Sequence, residues 1–434
     1  MMTLIIFLII LGVLVFVHEL GHFMVARRNG VKAEEFGFGF PPRIVGFQFI
    51  KGKKHEEKIE IESLQVERVD MKMSGNEEIV RETITEKMRK VDEIVSVKRW
   101  RIIWGSRDGD DENEKTDLAE AEKNGFTGGT IYSLNWLPLG GFVRIKGENG
   151  DGAKEPDSFA SKKAWPRIKI LAAGVIMNFI FAWILISIGF MIGAPEAIDS
   201  DSANVPNAKI QITEVLPDSP AEKAGIKVGD EILKSNIETS FGSVADVQNY
   251  INSNKGKEID LNILRGNQTV EIKVVPRENA PAGQGAIGIG LAQTVIVKYP
   301  VHQAIWNGLM AVYNLTLAIL FALGGIIMKL FAGHGVGAEV SGPIGIAILT
   351  KQVATLGLVY ILQFAALLSI NLGIINALPI PALDGGRILF ILIEKIKGSP
   401  VTQKTEQAFH TIGFVLLILL MILITLRDVV KIIK

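Results

Sequence analysis

The sequence predicts a polytopic α-helical membrane protein with a membrane-associated β-hairpin or sheet and one inserted extracytoplasmic α+β domain. Hydrophobic residues make up 48% of the 434-residue chain, and the mean hydropathy is +0.31. This is high for a soluble protein and low for a chain lying wholly in lipid. Apolar runs of spanning length also alternate with charged stretches, so a few spans with polar domains between them are expected.

Composition excludes several classes of function. The chain has 46 basic and 46 acidic residues and a formal net charge of zero, so it lacks the basic field of a nucleic-acid-binding protein. It contains no cysteine, which excludes a thiol nucleophile, a thiolate metal site and disulfides. Any zinc ligands must therefore be histidines and carboxylates.

The first predicted span, residues 1–26, contains His18, Glu19 and His22. On a helix the two histidines lie on one face, one turn apart, where they can bind one Zn²⁺ while Glu19 polarises a metal-bound water. The alternative is a pair of buried, hydrogen-bonded histidines with Glu19 as their partner. Because ionisable groups inside a membrane helix are costly and are kept there for function, we favour the zinc site.

A mainly polar region of strands and loops follows the first span. Aromatic and glycine residues alternate over 36–47, which predicts a membrane-associated β-hairpin within 27–50. Residues 51–129 form a charged cytoplasmic insertion, partly strand and partly helix, with a loop at 107–123. Residues 130–167 are expected to be a cytoplasmic strand and loop region, because proline and paired glycines mark a tight turn there.

The second predicted span, residues 168–193, carries small residues that allow close approach of helices. It also contains Asn178. This amide either hydrogen-bonds between helices or faces the catalytic cleft as a candidate substrate-binding residue, and the sequence leaves both interpretations open.

An inserted domain is predicted over 208–276, where segments with strand patterns alternate with turn signals. Strands and membrane-associated helices are expected over 285–358. Within that region, 303–331 is long enough to span the membrane. The topology below instead places it along the outer leaflet, unless it pairs with a second crossing near 343–358.

The third predicted span, 359–389, includes a loop with Pro379, Pro381 and Asp384, and the fourth is 410–426. The prolines must break the helix. Alone, Asp384 would be interpreted as a turn or cap residue. Together with the two histidines of the first span, it is the expected third zinc ligand, because an acid between apolar flanks needs a cation or a donor.

A simple topology brings these ligands to one depth. Arg27 and Arg28 follow the first span and place its end in the cytoplasm. Asp384 must then be reached by a span running inward. Four spans with both termini outside satisfy this, and they leave the lysines of 390–408 inside.

Two motifs together resemble the site-2 protease family of intramembrane zinc metalloproteases. They are His-Glu-Leu-Gly-His at 18–22 and Asn-Ala-Leu-Pro-Ile-Pro-Ala-Leu-Asp-Gly at 376–385. Residues 137–143 and 341–345 are supporting matches. Residues 215–233 resemble a PDZ domain, which indicates the PDZ-containing bacterial branch, of the regulator of sigma-E protease type.

The resemblance implies a zinc metalloendopeptidase of the bacterial cytoplasmic (inner) membrane. It would cleave peptide bonds within or near transmembrane segments of membrane proteins, such as an anti-sigma factor or remnant signal peptides. The implied zinc ligands are His18, His22 and Asp384, and the implied general base is Glu19. The remaining implied residues hold the unwound substrate, and they are Asn376, Pro379 and Pro381.

The 36–47 stretch resembles a membrane-embedded β-hairpin that aligns substrate. The PDZ groove takes peptide tails by strand addition, with a spacer or filter as the alternative role. The chain departs from the family's best-known member in having one PDZ domain instead of two and a long charged insertion. Two rival functions remain, an inactive membrane PDZ scaffold and a transporter with buried ionisable groups.

Overall fold

The chain forms two compact units, Met1–Lys32 with Pro138–Lys434, and Ala33–Leu137. The structure is a computed structural model. The residues that it describes are 2–71, 79–105, 126–150, 152–198, 208–216, 218–235, 241–266, 268–281, 284–332, 342–399 and 401–433.

Most of the first unit is helical. Its described helices are α1 (Met2–Arg28), α2 (Ala164–Ile192), α3 (Pro220–Lys223), α4 (Val244–Ser253), α5 (Val301–Phe331), α6 (Pro343–Leu356), α7 (Leu358–Ala377), α8 (Asp384–Lys397) and α9 (Gln403–Ile433). Helix α2 lies at the centre and packs against α1, α5, α7 and α8. Buried apolar residues of α1, α2, α5 and α7 form one cluster, which includes Leu14, Ile186 and Ile370.

Among the described residues, five helices are long and apolar enough to cross a membrane. They are Leu4–Arg28, Ala164–Ile192, Val301–Lys329, Leu358–Ala377 and Lys404–Val430. The sequence predicts that 303–331 lies along the outer leaflet unless it pairs with a second crossing near 343–358, whereas its helix α5 has the length and composition of a span. The four-span topology therefore stays a prediction. Helix α6 has 14 residues, or about 21 Å, and is too short to cross a core of about 30 Å alone.

The inserted domain is a six-stranded sheet with the order β4-β9-β5-β6-β7-β8. Its strands are β4 (Ala194–Ile198), β5 (Lys209–Val215), β6 (Glu231–Ser235), β7 (Ile259–Arg265), β8 (Gln268–Val274) and β9 (Ile289–Val297). The predicted boundaries 208–276 were too narrow. Strand β9 pairs with β5, with Ile212 opposite Leu291, and Ile287 belongs to the same buried core. The strands expected after 285 are thus part of this domain.

The second unit is a three-stranded sheet with the order β2-β1-β3. Strand β1 (Ala33–Met71) pairs antiparallel with β2 (Ile79–Trp104), and β3 is Phe126–Ile145. The prediction of a hairpin closed within 27–50 and a separate insertion after it was wrong. One strand crosses that boundary because β2 satisfies its backbone hydrogen bonds from Val45 to Met71.

Three further predictions concern the charged insertion and the third span. The described part of the charged insertion contains strands, and the helix expected in it is absent from that part. The loop predicted at 107–123 lies outside the described residues. In the first unit, the expected break of the third span is present, since α7 ends at Ala377 and α8 begins at Asp384. Two prolines lie between the helices, as the sequence predicted.

Candidate metal centre

The two histidines lie one turn apart on α1 and face α2. His18 and His22 are each 6% exposed, and their Nε2 atoms are 3.2 Å apart. The Nδ1 atom of His22 is 2.8 Å from the Ile170 carbonyl oxygen of α2. Because a carbonyl only accepts, His22 Nδ1 carries a proton, and in the neutral ring Nε2 then presents its lone pair to the cluster.

The first residue of α8 completes the cluster. Asp384 Oδ2 is 3.1 Å from His18 Nε2 and 3.3 Å from His22 Nε2. The turn before it is tight, since a Cβ at Gly385 would overlap the carbonyl oxygens of Ala377 and Leu378. Glycine at this position lets the start of α8 fold back against the end of α7 and brings the carboxylate to the histidines.

The geometry of the three atoms fits a metal site. In a tetrahedral zinc centre with ligand bonds of about 2.0–2.1 Å, two ligand atoms are about 3.3 Å apart. Here the three separations are 3.2, 3.1 and 3.3 Å. Asp384 Oδ2 is buried and has no hydrogen-bond donor among the described residues. A cation bound between the three atoms would satisfy converging acceptors at this distance.

A residue of α2 contacts His18 at Nδ1, the ring nitrogen that faces away from the cluster. Asn178 is completely buried, and its amide lies 3.1 Å from His18 Nδ1. In the present orientation Nδ2 faces the ring, and Oδ1 has no partner among the described residues. Turning the amide by 180° lets Oδ1 accept from His18 Nδ1–H and leaves Nε2 as the metal-facing lone pair.

The structure agrees with the first interpretation of Asn178, a hydrogen bond between helices. The side chain joins two helices, but it does so by contacting a predicted ligand. Being fully buried, it has no surface to offer a substrate in this state. Its position is that of a residue that orients His18, and the substrate-binding role of Asn178 stays a prediction.

Glu19 lies beside the cluster and is held from the opposite wall. Its Oε2 accepts a hydrogen bond of 3.2 Å from the backbone N–H of Val143. A cavity of about 170 Å³ is lined by Glu19, the three clustered residues and residues of the 142–148 segment, together with Phe159 and Leu171. The carboxylate thus faces the same space as the ligand atoms, at the position expected of a general base.

Two residues of this centre were missed by the sequence analysis. A Cβ at Gly174 would overlap His22 Nε2 and lie 2.7 Å from His18 Cε1, so both rings occupy the space that a side chain would need. Val143 acts through its backbone. The sequence signals at these positions are the motif at 137–143 and the small residues of the second span. Neither pattern states which backbone atom contacts the site or which residue leaves space for the rings.

The loop between α7 and α8 carries the other predicted substrate residues. Asn376 Nδ2 is 3.5 Å from His18 Nε2, at the limit of a hydrogen bond. Pro379 is exposed, and Pro381 packs against Gly413 of α9. Ala382 N–H donates to His410 Nδ1 of α9 at 2.8 Å. The loop therefore lies next to the ligands, while its contact with substrate stays a prediction.

Known proteins match the chain over nearly its whole length. The model of peptidase family M50 matches residues 6–61 and 121–420. The regulator of sigma-W protease RasP of Bacillus subtilis is 36% identical over 440 residues, which cover 98% of both chains. The zinc metalloprotease RasP of Geobacillus kaustophilus is 32% identical and covers 98% of this chain and 97% of its own. That of Bacillus licheniformis is 33% identical and covers 99% of both.

These matches include both segments that supply the clustered histidines and aspartate. They confirm the resemblance drawn from the two motifs and the predicted enzyme class, a multi-pass membrane metallopeptidase of the site-2 type. The chain belongs to peptidase family M50, the family of the site-2 proteases.

Proposed function

We propose that this chain hydrolyses peptide bonds within or near the transmembrane segments of membrane proteins, using Zn²⁺ held by His18, His22 and Asp384. The observation that carries the proposal is the set of three converging acceptor atoms, 3.1–3.3 Å apart. Three protein ligands leave a fourth tetrahedral position open, which is typical of catalytic zinc. When bound, zinc supplies a Lewis acid that activates water and polarises the scissile carbonyl.

Glu19 is the proposed general base. Its carboxylate takes a proton from the attacking water and later gives it to the leaving amine nitrogen. The hydrogen bond from Val143 N–H to Oε2 anchors one oxygen of the carboxylate, so the base is held beside the cluster before substrate arrives. Asn178 keeps His18 in the tautomer and orientation needed for Nε2 to bind the metal.

The substrate is proposed to enter in extended form. A helical peptide bond is shielded by its own hydrogen bonds, so the segment must unwind first. Strand β2 ends at Trp104 opposite Val45, so it does not run beside residues 33–44. A substrate strand is proposed to add along that edge of β1, while Asn376, Pro379 and Pro381 hold the unwound segment.

The proposed placement in the membrane follows the charges and the exposed aromatic residues. Arg27 and Arg28 at the end of α1 are exposed, which favours a cytoplasmic position for that end in the bacterial inner membrane. Phe47, Trp100 and Trp104 of the sheet are 44%, 61% and 73% exposed. Large exposed aromatic side chains favour contact of the sheet with lipid.

The six-stranded domain is proposed to be an extracytoplasmic PDZ domain, because it is inserted after the outward-running α2. Its groove would take peptide tails or act as a filter. The name of the Bacillus subtilis relative, a regulator of sigma-W protease, suggests a substrate class. Anti-sigma factors with a single transmembrane segment are the substrates we would test first, together with remnant signal peptides.

The direct test is cleavage of a transmembrane peptide by the purified chain in detergent, wild type beside Glu19→Gln. We expect the substitution to lower kcat by about 10²–10⁴-fold while zinc content stays equal, because the amide cannot accept the proton. Asn376→Ala serves as a substrate-side variant and is expected to raise KM. Cleavage by Glu19→Gln at the wild-type rate would refute the assigned base.

A further inference from the structure

A second ionic contact lies beside the metal centre. Arg387 of α8 pairs with Glu148, which follows β3. The two residues are each 29% exposed and come from segments that are distant in the chain. Ion pairs with this exposure contribute little to overall stability. A contribution to global stability is therefore a weak explanation for the ion pair. Its position beside the metal centre indicates a different role.

Glu148 belongs to the 142–148 segment, the wall of the catalytic cavity that holds Glu19. Five residues before it, Val143 N–H donates to Glu19 Oε2. Between the two positions, Lys146 N–H donates to the Lys32 carbonyl at 2.9 Å, and the Lys146 carbonyl accepts from Phe159 N–H at 2.8 Å. The segment is thus tied down along one side by backbone hydrogen bonds. The contact with Arg387 ties its far end to α8.

Arg387 is attached to the element that carries the third ligand. It lies three residues after Asp384, on the same face of α8 and within its first turn. Its own N–H donates to the Leu383 carbonyl at 3.2 Å. A side-chain contact in the first turn restrains rotation of the helix start, and therefore the direction in which Asp384 Oδ2 points.

The pair also lies where two cavities adjoin. The catalytic cavity of about 170 Å³ is lined by Glu148, Phe159 and Leu171 in addition to the metal-centre residues. A larger cavity of about 440 Å³ shares these three residues and adds Arg387. Movement of Glu148 would therefore change the wall of the catalytic cavity and the base attached to it.

We propose that Glu148 and Arg387 are positioning residues that hold the Glu19-bearing wall and the Asp384-bearing helix in register across the metal centre. Neither residue touches the reacting atoms. The inference rests on the proposed function, because it assigns the pair a role in holding the base and a metal ligand. A displacement of such groups by a fraction of an ångström reduces turnover more than substrate binding.

The chain offers a matched control on the same helix. Arg167 of α2 pairs with Glu394 of α8 at 2.9 Å, with exposures of 18% and 16%. This pair also joins α8 to a neighbouring segment, but it lies almost three turns beyond Asp384. Its loss is expected to loosen the helix end without turning the carboxylate.

The test uses the full chain in detergent and compares Glu148→Gln, Arg387→Gln and the exchanged pair Glu148→Arg/Arg387→Glu with Arg167→Gln and Glu394→Gln. Four quantities are measured, namely kcat and KM on a transmembrane peptide, the rate at which a chelator removes zinc, and the melting temperature. We expect the first two variants to lose about 10- to 100-fold in kcat with KM unchanged and to release zinc faster. The exchanged pair should regain part of kcat.

The control variants should melt earlier but keep kcat and zinc release at wild-type values. Equal losses of kcat in both sets, or wild-type kcat and zinc release in Glu148→Gln and Arg387→Gln, would overturn the inference. Should the neutral variants fail to fold, Arg387→Lys keeps the charge with altered geometry and must still lower kcat. A wild-type chain without zinc or cleavage would instead overturn the proposed function itself.

Discussion

The inserted domain and the candidate metal centre differ in the partners that surround a buried carboxylate. In the domain, Asp230 is 1% exposed and accepts two hydrogen bonds from Arg265 at 2.8 and 2.7 Å. The Asp230 carboxylate raises the pKa of the Arg265 guanidinium. In the metal centre, Asp384 meets two imidazole lone pairs. The domain therefore carries its own counter-charge, whereas the helical core is proposed to acquire its cation from solution.

The largest expected effect comes from filling the space behind the histidine rings. Gly174→Ala places a Cβ where His22 Nε2 now lies, so we expect complete loss of zinc and of cleavage. Gly324→Ala in α5 is the matched control, since a Cβ there meets nothing within 4 Å. Alanine is favoured over glycine by about 1 kcal/mol in both helices. Zinc analysis of the two purified variants checks this, and a stoichiometric ion in Gly174→Ala would contradict the described packing.

A smaller effect is expected when the domain loses its counter-charge. Asp230→Asn leaves Arg265 without its carboxylate and should destabilise the domain by about 3 kcal/mol. Limited proteolysis of the full chain in increasing urea measures this. Lys209→Gln, which removes a more exposed pair with Glu231, is the control and should change little. Zinc content should stay constant in both variants. Loss of zinc in Asp230→Asn would show that the two regions are not independent.

The smallest effect concerns the residue behind His18. Asn178→Ala removes the partner of Nδ1, and we expect metal affinity to fall by about tenfold with KM unchanged. Ser369→Ala removes only a hydrogen bond to the Asn178 backbone carbonyl and should have a lesser effect. Competition with a chelator gives the affinities. A raised KM with unchanged affinity would support the substrate-binding role that the sequence suggested for Asn178.

The clustering of His18, His22 and Asp384 could be anticipated from sequence because the chemistry of these residues is local. His18 and His22 have helical spacing inside an apolar run, and Asp384 is an acid between apolar flanks and prolines. Gly174 and Val143 could not be assigned in the same way. Gly174 leaves space for the two imidazole rings, and Val143 donates a backbone N–H. Both roles depend on how α1, α2 and the 142–148 segment pack together.

The sheet of the second unit was the least predictable part of the fold. The charged stretch after residue 50 has only short apolar alternations, at Ile59 and Ile61 and at Leu64 and Val66, among many charges, and it was predicted to be only partly strand. It is nevertheless extended to Met71, because β2 pairs with it residue by residue. Strand formation here depends on a partner distant in the sequence, which propensity does not encode. The inserted domain was extended at both ends for the same reason, since β4 and β9 join its sheet through long-range pairing.

The most direct test of the central claim is the zinc content of the detergent-purified chain, wild type beside His22→Ala and Asp384→Ala. One zinc per chain in the wild type, lost or weakened in both variants, is the predicted result. It would join two segments at opposite ends of the sequence into one metal site. Zinc that survives Asp384→Ala unchanged, or a wild-type chain that holds none after gentle purification, would contradict the account.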